Sequence, residues 1–133
     1  MDIKDLSQLY YLNREIEKKS EDLKQLQALR WGHSATMTGM PKSRDRKSHI
    51  EQIEADIEDL TEIIKAKQIE CIHERNRLAR FINMIPDSEV RMIFEYRFAD
   101  CLPWDQVAAC MGEGHTAEQV RQVCSRYIRQ QED

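Results

Sequence analysis

Ile85-Pro86-Asp87-Ser88, the run from Val90 through Phe94 to Phe98, Leu102-Pro103-Trp104-Asp105-Gln106-Val107-Ala108, and Val120-Arg121-Gln122-Val123 divide the last third of the chain into three short helices. Pro86 has the fixed φ suited to a first helical position, and Asp87 with Ser88 offers acceptors to the unpaired N–H groups of a helix start. Val90, Ile93, Phe94 and Phe98 then recur at spacings of three and four, which predicts one buried stripe on a helix running to Asp100. Pro103 starts a second helix, kept short by Gly112 and Gly114, with Val107, Ala108 and Met111 on its apolar face. Thr116 caps a third, with Gln119 three positions on as the reciprocal partner of a capping box. Val120, Val123, Tyr127 and Ile128 form its buried face, and Trp104 and Tyr127 are assigned to the core between helices. Gln119, Arg121, Gln122, Ser125, Arg126 and Arg129 then lie on or near the opposite face. These are residue types that reach phosphates and base edges, and the order of elements is that of a helix-turn-helix.

The preceding residues predict a different architecture. Steps of seven from Ile50 give Ile57, Ile64, Cys71, Leu78 and Ile85, and steps of seven from Ile53 give Leu60, Lys67, Glu74 and Phe81. A heptad sustained this long predicts one long helix with a coiled-coil seam, interrupted by polar residues at Lys67 and Glu74. Ser48, with Glu51 three residues later, is its expected cap. An earlier helix from Ile3 to Trp31 carries Leu6, Leu9, Leu12, Ile16, Leu23, Leu26 and Leu29 on a matching stripe, with Tyr10 and Tyr11 beside it. The expectation is an all-α chain: a long antiparallel helical hairpin over residues 1–85 with a basic loop at 32–47, followed by a helix-turn-helix domain over 86–133. Two helices alone bury one stripe each, so the hairpin predicts a third surface, from the C-terminal domain or from a second copy in a homodimer.

Composition agrees with long helices: 33% of residues are charged, 7% are aromatic, and four glycines and three prolines cluster at a few breaks. No long apolar run and no signal-like start appears, which predicts a soluble, cytoplasmic protein without a membrane partner. Cys71, Cys101, Cys110 and Cys124 lack the short paired spacing of a metal site, so buried reduced thiols are expected, with no metal and no cofactor. No Gly-rich phosphate loop or nucleophile motif appears, and the acids Asp56, Glu58, Asp59 and Glu62 read as a solvated helix face; no enzymatic activity is expected. Residues 86–133 carry nine acidic and five basic side chains, an unusual balance for a domain that binds duplex DNA alone. Within 116–131 the sign reverses, with Arg121, Arg126 and Arg129 against Glu118. The basic run Lys42-Ser43-Arg44-Asp45-Arg46-Lys47 and the group His73, Arg75, Arg77, Arg80 are secondary candidates for backbone contacts, with a solvated surface as the simpler reading.

The quoted stretches from Ile85 to Phe98, Pro103 to Ala108 and Val120-Arg121-Gln122-Val123-Cys124-Ser125-Arg126 resemble region four of the sigma-70 family, in which a Leu-Pro start, a Leu-Arg-Tyr helix end, a Tyr-Glu-Glu-Ile-Ala helix and a Thr-Val-Lys-Ser-Arg recognition helix recur. These stretches look closer still to small phage and prophage proteins of firmicutes and their relatives, which join such a C-terminal half to an N-terminal helical hairpin; the resemblance covers the C-terminal third, and the rest of the chain only as a helical pattern. The resemblance implies a transcription regulator whose partners are double-stranded DNA and RNA polymerase. It implies DNA contacts from Thr116, Gln119, Arg121, Gln122, Ser125, Arg126 and Arg129, with Arg121 and Gln122 at base edges and Ser125, Arg126 and Arg129 at phosphates. One departure is plain: Glu113-Gly114-His115 lengthen the turn before the last helix by about two residues relative to that family. A small terminase subunit for DNA packaging, which also couples a helix-turn-helix to oligomerising helices, is the alternative, as is a protein-interaction module that does not bind DNA.

Overall fold

A computed structural model describes residues 1–35 and 43–132 of the chain, with side chains described over 1–31 and 47–132. It is all-α: α1 (Ile3–Leu6), α2 (Gln8–Ala35), α3 (Ser43–Asn83), α4 (Ser88–Phe94), a π-helical turn (Glu95–Ala99), α5 (Trp104–Met111) and α6 (Ala117–Glu132), with no strand among the described residues. The chain divides into two compact units, residues 14–69 and a second formed by residues 1–13 together with 70–133.

In the first of these units α2 and α3 run antiparallel: Lys67 Nζ lies 2.8 Å from Glu15 Oε2, and Arg30 lies 3.0 Å from Glu54, so positions rise in one helix as they fall in the other. Ile53 and Ile64 of the heptad are buried, while Ile16, Leu23, Leu26, Ile50, Ile57 and Leu60 are half-buried. Lys67, polar in an apolar seam, is explained by its ion pair with Glu15. That pair and the Lys67 hydrogen bond hold the Glu15 carboxyl below its ordinary range, the hydrogen bond contributing most. Leu29, Trp31, Ile63 and Ile69 remain exposed.

The second unit has one core. Ile93 and Phe94 of α4, Phe98 of the π turn, Val107 and Ala108 of α5, and Val120, Cys124 and Ile128 of α6 are buried together with Leu6, Leu9, Leu78, Ile82 and Ile85. Phe94 is the hub, with ring centroids 5.3 Å from Phe98, 5.4 Å from Tyr127 and 6.2 Å from Phe81. The N-terminal turn and the end of α3 thus close the same core as the three C-terminal helices, and the boundary expected between residues 85 and 86 runs through it. Arg77 fixes this junction: it pairs with Glu74 and donates to the Asp5 carbonyl at 3.3 Å.

Several local expectations are corrected. Asp87, not Pro86, sets the start of α4: its Oδ1 accepts the N–H groups of Glu89 at 2.8 Å and Val90 at 3.3 Å, and Pro86 lies outside the helix. Pro103 stands one place earlier than expected, at the cap of α5 with extended ψ of 157°, and Trp104 is the first helical residue. Ser48 lies inside α3, which begins at Ser43; no Gly or Pro separates them, so nothing stops the helix from extending past an optional cap. The expected helix from Ile3 to Trp31 breaks at Ser7 after one turn capped by Asp2, and α2 runs on to Ala35. Residues 32–35 and 43–47 of the loop expected at 32–47 are helical, and the part of it at 36–42 lies outside the described residues. The side chains of Ser43 to Arg46 in the basic run also lie outside them.

Candidate functional site

The last helix presents the residues singled out from sequence. Thr116 Oγ1 accepts the Gln119 N–H at 3.1 Å, which satisfies an orphan donor at the start of α6. The helix buries Val120, Cys124 and Ile128 at four-residue steps, flanked by half-buried Val123 and Tyr127. Cys124, not assigned to this stripe beforehand, is 1% exposed, and burial pushes its thiol up to about 12. With that stripe inward, Gln119, Arg121, Gln122, Arg126 and Arg129 are exposed. Ser125 is half-buried at the edge of the face, which restricts its reach compared with the two neighbouring arginines.

The lengthened turn holds α6 by specific means. Gly112 ends α5 with φ of 98° and ψ of −169°, and its N–H reaches the Ala108 and Ala109 carbonyls. That conformation strongly favours glycine. Gly114 turns the chain again with φ of 88°. His115, adjacent to the cap of α6, places Nε2 3.2 Å from Glu89 Oε1 on α4. The added residues therefore tie the start of α6 to α4. Upstream, Cys101 adopts φ of 59°, and the Arg97 guanidinium donates to the Leu102 carbonyl at 3.0 Å while lying 4.4 Å over the Trp104 ring. Trp104 is half-buried and Tyr127 packs edge-on to Phe94, which places both at the core as expected.

Charge on the exposed face of α6 is not simply basic. Arg121 donates Nε to Glu118 Oε2 at 3.2 Å and pairs through Nη2 with Glu118 Oε1, and Gln122 Nε2 donates to the same Oε1 at 3.2 Å. The Arg121 hydrogen bond holds the Glu118 carboxyl below its ordinary range and raises Arg121. In sequence Glu118 reads as one acid among arginines; its spacing of three and four from Arg121 and Gln122 is the signal for this cluster.

The second basic group is largely engaged elsewhere. Arg75 donates to the Ala99 carbonyl at 3.4 Å, and Arg77 is held by Glu74 and Asp5, while His73 and Arg80 are exposed. Of the cysteines, Cys110 is exposed, contrary to the expectation of burial, and Cys71 and Cys101 are half-buried beside Asn13, whose amide makes a contact of 3.6 Å with each sulfur. No three metal-ligating side chains converge among the described residues. No helix of the described residues is long and apolar enough to cross a membrane. No protein family model, curated protein or solved structure matches the chain.

Proposed function

We propose that this chain is a DNA-binding transcription regulator of the phage type, reading sequence with α6. The observation that carries the reading is the arrangement of α6: a helix capped at Thr116, packed by Val120, Cys124 and Ile128 against α4 and α5, with Arg121, Gln122, Arg126 and Arg129 turned outward. In such a unit the outward face enters the major groove, residues near the helix start meet base edges, and later arginines meet the backbone. Arg121 and Gln122 read bases; Arg126 and Arg129 position the helix on phosphates, with Thr116, Gln119 and Ser125 at the margin.

The electrostatic contribution from residues 86–133 is weak, with nine acids against five bases, so affinity depends on a second contribution. A homodimer formed by the hairpin, whose Leu29, Trp31, Ile63 and Ile69 are exposed, would bring two copies of α6 to one duplex. RNA polymerase, the partner implied by the resemblance to sigma region four, is the other source. The competing reading is a protein-interaction module, favoured by the acidic balance and by the Glu118 carboxylate on the outward face.

Binding titrations of variants against a mixed panel of duplexes across a salt series test the assignment. Arg126→Ala weakens binding to all duplexes alike and reduces the salt slope by about one charge. Gln122→Ala instead changes the ranking of duplexes. Equal loss for both variants on every duplex would remove this division of roles.

A further inference from the structure

We infer that Glu118 is a positioning residue for base reading, an inference that rests on the DNA-binding assignment above. Its carboxylate takes the Nε and Nη2 side of the Arg121 guanidinium and one amide hydrogen of Gln122. A guanidinium has five N–H donors in a rigid plane. With its inner edge held by Glu118, the outer edge keeps two parallel N–H groups, one on Nη1 and one on Nη2. That pair has the spacing to meet guanine O6 and N7. Gln122, with one amide hydrogen committed, keeps one N–H and its carbonyl oxygen, the donor and acceptor pattern complementary to adenine N7 and N6.

The exposed ion pair adds little to folding, since both partners are well solvated, with side chains 48% and 62% exposed. Its effect lies in orientation: two flexible side chains share one acceptor and lose rotamer freedom before binding, so less is lost on the duplex. The same carboxylate repels phosphates. Glu118 therefore lowers affinity for every duplex while sharpening the choice among them, and the base it sharpens most is the guanine opposite Arg121.

Parallel selections of bound duplexes from one random pool with the wild-type chain, Glu118→Ala, Glu118→Gln and Arg121→Ala test this. The wild-type chain enriches a motif containing a guanine that disappears with Arg121→Ala. Glu118→Ala binds pooled DNA more tightly, yet its preference for that guanine falls about tenfold, within the range one bidentate contact supplies. Glu118→Gln, which keeps an acceptor without the charge, retains an intermediate preference. A merely structural role for Glu118 would change affinity for all duplexes by one factor and leave the preference intact, and that result overturns the inference alone. A sharper preference in Glu118→Ala also overturns it. Absence of any motif with the wild-type chain overturns the DNA-reading assignment and this inference together.

Discussion

Leu6→Ala, placed in a Trp31→Phe background so that Trp104 is the sole tryptophan, separates two pictures of the C-terminal helices. Leu6 is fully buried in the core that holds Phe94, Val107 and Val120, although it precedes them by more than eighty positions in the sequence. Truncation of a buried leucine removes its transfer free energy and leaves a cavity, about 2–5 kcal/mol in total. Taking about 3 kcal/mol, and a urea dependence of about 1.5 kcal/mol per molar, the midpoint followed by Trp104 fluorescence falls by about 2 M. Trp104 lies at the far end of the chain and reports the shift only because one core unites residues 1–13 and 70–133. Had residues 86–133 folded independently, Trp104 would unfold at an unchanged midpoint. A shift below about 0.3 M would refute the shared core, since even the smallest expected cost exceeds that.

Gly112→Ala destabilises by about 1–3 kcal/mol, from backbone strain alone because nothing lies within 4 Å of the added methyl; a thermal melt at or above the parental midpoint would contradict this. Pulsed alkylation read by mass spectrometry labels exposed Cys110 first and Cys124 last, because Cys124 is buried and its thiol is raised to about 12. The Glu15 carboxyl, depressed below 4.5 by Lys67, contributes stability that is complete above its unfolded value and is lost as pH falls through the lower folded value. NMR titration of Glu15 should give a midpoint below 4.5 that moves up in Lys67→Met.

Much of the architecture was legible from periodicity. The heptad from Ile50 and the leucine stripe from Leu6 specified the long helices, and the spacing of Ile93, Phe94 and Phe98 specified the buried face of α4 and the π-helical turn that follows it. Thr116 was legible as a cap because its signal is local. The starts expected at Pro86 and Pro103 fall two residues and one residue too early, because proline suits both the first helical position and the residues before it. The shared core was not legible: pairing Leu6 and Leu9 with Phe94 depends on where a long helix returns the chain, and no local pattern carries that information. The same holds for the contact between His115 and Glu89, separated by 26 positions. The burial of Cys124 was expected, but its place on the α6 stripe was not, because Val123 and Tyr127 fit the helical period nearly as well and only packing decides which side faces in. At the candidate interface the outward residues of α6 were legible, but counting charges concealed that Arg121 and Gln122 share the Glu118 carboxylate.

Selection of bound duplexes from a random pool at low salt, with the mass of the sample fixed by light scattering, decides whether α6 reads DNA. A defined motif is expected for a monomer or dimer, lost when Arg121 and Gln122 are both changed to alanine. No enrichment would contradict it and leave a module that binds protein; a motif retained without Arg121 and Gln122 would contradict the assignment of α6, and a ring of eight or more subunits would favour DNA packaging.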